Sequence, residues 1–127
     1  MKQIISTLKA PKAIGPYSQA VKMGKMIFVS GQIPIDPVTG EIVGQSIEEQ
    51  VERVLTSLSA ILVEAGSSLK DVVKTTVYLT DLKNFEGMNK VYARFFEGMH
   101  PARATVGVTS LPKGVIVEID AISLIAD

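Results

Sequence analysis

The chain has no cysteine and a single histidine, His100. Without cysteine there are no disulfides, thiolate metal sites or thiol nucleophiles, and one histidine excludes metal centres built from several imidazoles. A hydrolytic triad would have to use His100, which precedes Pro101 in a loop and has no recognisable partner. Glycine is present, but no Walker loop or dinucleotide fingerprint follows a strand. No run of about 18 apolar residues occurs, and Met1 to Lys9 is too short and too interrupted to be a signal peptide. Net charge is missing too, with 13 basic against 13 acidic residues. The chain has no overall field to attract nucleic acid or an anionic membrane. These absences predict a soluble, cytoplasmic protein without a metal site, and they argue against nucleic acid or lipid as a partner.

What is present builds one domain, 1–127, long enough to bury roughly two thirds of its unfolded surface. Hydrophobic residues make up 46% and mean hydropathy is +0.30, high for a small monomer. That excess predicts apolar surface covered by another subunit. Lys2 to Ile5 reads as a short strand, and the stretch from Ala10 to Pro16 as an irregular loop. Tyr17 to Lys22 and Lys25 to Gly31 read as a hairpin, the second strand apolar enough to be covered on both faces. Asp36 to Gly40 is a turn. Ser46-Ile47-Glu48-Glu49 is a capping box that opens a helix. Ile47, Val51, Val54, Leu55, Leu58, Ile61, Leu62 and Ala65 form its apolar stripe, Glu48, Glu49, Glu52, Arg53, Ser57 and Glu64 lie opposite, and Gly66 stops it.

Val72 to Thr80 alternates as a strand, with Val73, Thr75, Val77 and Leu79 on its greasy face. A second helix, from about Asn84 to Glu97, turns Phe85, Met88, Val91, Tyr92, Phe95 and Phe96 inward. A strand carrying Arg103 follows, and the turn Leu111-Pro112-Lys113-Gly114 leads into a last strand, Val115 to Ile125. On that strand Ile116, Glu118, Asp120, Ile122 and Leu124 share one face, which sets two acids among apolar neighbours. The order predicts an α+β fold, a mixed sheet with both helices on one face through right-handed crossovers. The other sheet face is left bare, which predicts oligomerisation with ligand clefts between subunits.

The candidate chemistry centres on Arg103. It begins a strand after Pro101, and the small neighbours Ala102 and Ala104 leave room beside its guanidinium for a planar anion held by two bonds. The competing reading is a structural arginine paired with an internal acid. Glu118 is a candidate acid-base or water-positioning group, against the plainer reading of an edge-strand acid that wards off aggregation. Tyr17, Ser30 and Thr105 offer hydroxyls, each with a structural reading of its own. Asn89 is displaced from the middle of the aromatic stripe and reaches an edge of the core or a cleft.

Four segments in order resemble one family: Gly15-Pro16-Tyr17-Ser18-Gln19-Ala20, Val29-Ser30-Gly31-Gln32-Ile33-Pro34, Pro101-Ala102-Arg103-Ala104-Thr105-Val106, and Leu111-Pro112-Lys113-Gly114 leading to Val117-Glu118-Ile119. The chain resembles the reactive-intermediate deaminases, the Rid or YjgF family, also called endoribonuclease L-PSP, and in its arginine segment the deaminase-competent branch. The resemblance implies a chorismate-mutase-like homotrimer with three intersubunit clefts. It implies hydrolysis of enamines and imines such as 2-aminoacrylate, 2-iminopropanoate and 2-iminobutanoate, released by pyridoxal-phosphate enzymes, to 2-oxo acids and ammonia, with no metal or cofactor. By the same resemblance Arg103 and the Gly31 amide grip the substrate carboxylate, Tyr17 walls the cleft, Ser30 and Asn89 line it, and Glu118 holds the attacking water. Thr105 stands where the family often has cysteine, a departure that bears on fine specificity. Family members described as ribonucleases or translation inhibitors supply an alternative, and a non-catalytic module for small carboxylates supplies another. The ribonuclease alternative would need a basic groove and stacking platforms, whereas the charge is balanced and the aromatics, three tyrosines and four phenylalanines, are patterned mostly as core.

Overall fold

A computed structural model describes residues 1–126. Six strands and two main helices follow the order β1 (Lys2–Ile5), β2 (Ala20–Met23), β3 (Met26–Gln32), α1 (Ile47–Glu64), β4 (Val72–Leu79), α2 (Phe85–Phe95), β5 (Ala102–Gly107) and β6 (Val117–Leu124). The strands form one sheet in the order β1-β2-β3-β6-β4-β5. It is mixed: β4 and β5 are parallel, and every other neighbouring pair is antiparallel. The last strand therefore sits in the middle, between β3 and β4, and whatever β6 carries is held on both sides by backbone bonds. No helix is long and apolar enough to cross a membrane among the described residues.

Helix α1 starts at the expected capping box, where the Glu49 amide donates to Ser46 Oγ and the Ser46 amide donates to Glu49 Oε1. The bonds from the Ser46 amide and hydroxyl and from the Gln45 amide hold the Glu49 carboxyl below its ordinary pKa. All eight residues of the predicted apolar stripe are buried. They pack with Met88, Val91 and Tyr92 of α2 and with Ile27, Val29, Val77, Leu79, Val117, Ile119 and Ala121 of the sheet in one cluster. Both helices thus cover the same face of the sheet. Its other face presents Ile4, Met23, Met26, Phe28 and Leu124, each at least 40% exposed. The pairings Met23 with Met26, Met26 with Leu124 and Phe28 with Ile122 gather these side chains into one apolar area.

Several details depart from the sequence expectation. β2 begins at Ala20, not Tyr17, because Gln19 is spent on the preceding loop. Its buried amide nitrogen donates to the carbonyls of Thr7, Ala10 and Pro11, and its oxygen accepts from the Thr7 amide. β3 is covered on one face only, so Met26 and Phe28 are exposed while Ile27 and Val29 are buried. A register irregularity between Val72 and Lys74 turns Val72 into the core and leaves Val73 44% exposed. Ser57 is buried rather than wet, accepting from Arg53 Nη2 at 3.1 Å. Phe85 is 41% exposed and serves another purpose, described below.

Candidate functional site

The pairing of β3 with β6 slips at Ser30-Gly31. Val29 lies opposite Ala121 and Gln32 opposite Ile119, so two residues of β3 face the single Asp120. This is a β-bulge, and it re-aims the chain beside Glu118. A Cβ on Gly31 would collide with the Glu118 carboxylate. Only glycine leaves that space open, and Glu118 lies against the bare backbone of β3. Ser30 ties the bulge to the loop before it: its hydroxyl donates to the Ser18 carbonyl at 2.6 Å and its amide to the Gln19 carbonyl at 2.9 Å. Tyr17, half exposed, accepts from the Ile14 amide through its hydroxyl at 3.3 Å. Tyr17, Ser30, Gly31 and Glu118 line a common cavity of about 800 Å³. Lys12 and Lys113 also line it. Lys113 holds a left-handed backbone, φ 59, that costs a non-glycine residue about 1 kcal/mol or more.

Arg103 lies elsewhere. Its register partner on β4 is Thr75, whose hydroxyl bonds to Tyr92 of α2 at 2.7 Å, so Arg103 projects from the helix-bearing face at the sheet edge. Its guanidinium carbon stands 4.8 Å from the Tyr92 ring centroid and 5.5 Å from that of Phe85. Phe85, Asn89 and Tyr92 fall at i, i+4 and i+7 on α2, so Asn89 belongs to the helix stripe that supports the guanidinium. Thr105, two residues along β5, shares the face of Arg103, and its buried Oγ1 has no hydrogen-bond partner among the described residues. No carboxylate pairs with Arg103 among the described residues, and the internal acid of the structural reading is not found there.

The predicted residues therefore separate into two groups. Tyr17, Ser30, Gly31 and Glu118 gather in the cavity beside β3 and β6. Asn89, Arg103 and Thr105 gather beside β5 and α2. Glu118 pairs with Tyr78, three residues from Thr75 on β4, so its side chain leaves the sheet on the face opposite Arg103. Sequence reading missed Phe85 as half of an aromatic seat, because a phenylalanine on a helical apolar stripe reads as core. It also missed Gln19 as the organiser of the loop, whose signal was a polar residue placed beside an apolar strand. The Glu118 carboxyl is pushed above its ordinary pKa, first by burial and then by the charge of Asp120.

The family profile described as Endoribonuclease L-PSP matches residues 7–125. A RutC family protein of Pyrococcus abyssi is 59% identical over 122 residues, covering 96% of each chain. A 2-iminobutanoate/2-iminopropanoate deaminase of Mus musculus is 45% identical over 124 residues, covering 98% of this chain and 92% of its own. The solved structure of a protein from Thermotoga maritima, described as an endoribonuclease, superposes with a TM-score of 0.97 at 57% identity and full coverage of both chains.

The raised carboxyl makes a stability prediction. The folded chain binds the Glu118 proton more tightly than the unfolded chain does, so the associated stability is present at low pH and lost as pH rises through the raised pKa. Glu118→Gln removes that loss. It is expected to melt higher than the parent at neutral pH by on the order of 1 to 4 °C, discounted for the carboxyl's remaining contact with solvent. Thermal unfolding followed by circular dichroism should show the two proteins converging as pH falls below the carboxylate range. A glutamine variant that melts lower at neutral pH would contradict the assignment of Glu118 as a carboxyl held against its own stability.

Proposed function

The chain belongs to the Rid family, described as endoribonuclease L-PSP, and on that premise we propose that it hydrolyses small enamines and imines of 2-amino acids to 2-oxo acids and ammonia. The observation that carries this reading is the state of Arg103, a half-buried cation seated on two aromatic rings with no acid to neutralise it among the described residues. A guanidinium so placed is a fixed fork for a planar carboxylate. The mouse relative's name, a deaminase of 2-iminobutanoate and 2-iminopropanoate, supplies the substrate class.

In this reading the two groups of residues form one cleft between neighbouring copies of the chain. Arg103, Asn89 and Thr105 come from one copy, and Tyr17, Ser30, Gly31 and Glu118 from the next. The apolar sheet face is the surface on which copies assemble, in a homotrimer of chorismate-mutase-like form. Arg103 and the Gly31 amide hold the substrate carboxylate. Protonated Glu118 gives its proton to the β-carbon of 2-aminoacrylate, and the nitrogen lone pair closes the C=N bond of the resulting iminium. The Glu118 carboxylate then takes a proton from water as its oxygen bonds to the iminium carbon. Glu118 passes that proton to nitrogen, the C–N bond breaks as the carbon–oxygen double bond closes, and the hydroxyl returns its proton to the Glu118 carboxylate, releasing ammonia and the oxo acid. The iminium carbon is already electrophilic, so orientation and proton handling suffice and no cofactor is called for.

Light scattering at micromolar concentration is expected to return about three times the 13.6 kDa chain mass. A monomer would remove the composite cleft. Turnover tests the clamp, with imine generated by a dehydratase or an oxidase and ammonia as the readout. Arg103→Ala is expected to lose about two to four decades in kcat/KM, because the substrate anion is left unpaired in a partly dry cleft. Arg103→Lys restores charge without the fork and recovers part of that loss. Normal turnover by a stably folded Arg103→Ala protein would remove the clamp. Ligand binding without ammonia release by the parent would leave a carboxylate-binding module, and salt-sensitive cleavage of RNA would point to the ribonuclease alternative.

A further inference from the structure

The proposed reaction leaves unused a row of polar groups on the open face of β4 and β6. Lys74 Nζ donates to Thr76 Oγ1 at 3.4 Å, and the Tyr78 hydroxyl donates to Asp120 Oδ2 at 3.0 Å. Thr76 lies opposite Asp120, and Tyr78 opposite Glu118. Glu118 and Asp120, two residues apart on one strand, point the same way. A tyrosine hydroxyl has one proton to donate. Tyr78 gives it to Asp120 on the diagonal and not to Glu118 directly across. Glu118 accepts no hydrogen bond among the described residues and lies against the bulge of β3. Two neighbouring carboxyls do not ionise with equal ease, and a donor favours the charged form of the one it reaches. Glu118, partly buried and without a donor, is the acid whose charged form is disfavoured.

We propose that Asp120, pinned by the Tyr78 hydroxyl, is a positioning residue that holds the proton on Glu118, so that Glu118 starts each cycle as the acid that protonates the enamine carbon. This rests on the deaminase reading of the same site. The other titratable groups around Glu118 are Tyr17 and Lys12 from the loop before β2, Asp36 from the turn after β3, and Lys113 from the turn before β6. β3 itself brings Ser30, Gly31 and Gln32, none of which titrates. After burial, the charge that raises the Glu118 carboxyl is that of Asp120. The Tyr78 hydroxyl is itself held in its protonated form by burial, by its bond to Asp120 and by the two nearby acids. The Tyr78 hydroxyl therefore keeps the proton that it donates to Asp120.

The test combines a titration with a rate profile. Carbon-13 NMR of the side-chain carboxyls in the intact, substrate-free protein reads the midpoint of Glu118 directly. The acidic limb of kcat/KM for 2-iminopropanoate generated by an amino acid oxidase reads Glu118 again, since water attack needs its carboxylate form. Asp120→Asn is expected to move both readings of Glu118 down, because the charge that raises its carboxyl after burial is removed. Asp120→Glu keeps the charge and should leave them near the parent values. Tyr78→Phe keeps both acids and should leave the Glu118 midpoint raised. A structural role for Asp120 would lower the melting temperature and leave the Glu118 midpoint unmoved, which overturns the proposal. Should Asp120→Asn not fold, Asp120→Ser is read in the same way, and an unmoved Glu118 midpoint there overturns the proposal equally. Failure of the deaminase reading looks different: no turnover by any of the proteins, with the NMR coupling between the two acids still measurable.

Discussion

A guanidinium taken partly out of water needs something in place of its hydration, and nothing anionic in the described chain supplies it for Arg103. Two aromatic faces do so in part. Those rings come from α2, whose position is fixed by Met88 and Val91 in the core and by the bond from Tyr92 to Thr75 on β4. Thr75 in turn is the register partner of Arg103. Helix, strand and arginine therefore hold one another, and in the proposed function the open side of the fork is where a substrate carboxylate would sit. The ion pair of Arg94 with Glu52, by contrast, stays solvated on both sides.

The opposite face of the sheet follows a second constraint. β6 is the central strand, so its outward acids cannot escape to an edge, and Glu118 has to be accommodated where it stands. The bulge at Ser30-Gly31 accommodates it. Serine ties the bulge to the Tyr17 loop, and glycine yields the space the carboxylate fills. This sheet face carries Phe28, Met26 and Leu124 at one end and Glu118, Asp120 and Tyr78 at the other, and the proposed function gives it two uses, assembly along the apolar part and chemistry along the polar part. That division matches the composition, since the apolar excess and the unexplained acids fall on the same surface.

Much of the fold was legible from local signals. The capping box and the eight-residue stripe of α1 form where the sequence puts them, and the alternation of β4 holds from Thr75 to Leu79, with Val73 displaced by the irregularity before Lys74. Legibility stopped where a residue answers to partners distant in sequence. Gln19 reads as strand until its side chain is seen holding the carbonyls of Thr7, Ala10 and Pro11. Phe85 reads as core because its period is that of Met88 and Tyr92, and only the arrival of Arg103 from β5 gives it a different task. Asp120 could be marked as an acid in the wrong company, but its link to Tyr78 spans 42 residues of sequence and no periodicity reveals it. The site residues were nameable one at a time. Their division between two faces of one sheet required the register of β4 against both β5 and β6.

That division is the central claim, and subunit mixing tests it most directly. Arg103→Ala and Glu118→Gln, each expected to have lost most of its activity alone, would be mixed in equal amounts, dissociated, reassembled and assayed for imine hydrolysis. If every cleft takes its arginine from one copy and its glutamate from the next, random reassembly leaves about one quarter of clefts with both groups intact, and about a quarter of parent activity returns. If one copy supplied both groups, every cleft would lack one of them and the mixture would stay as inactive as its components.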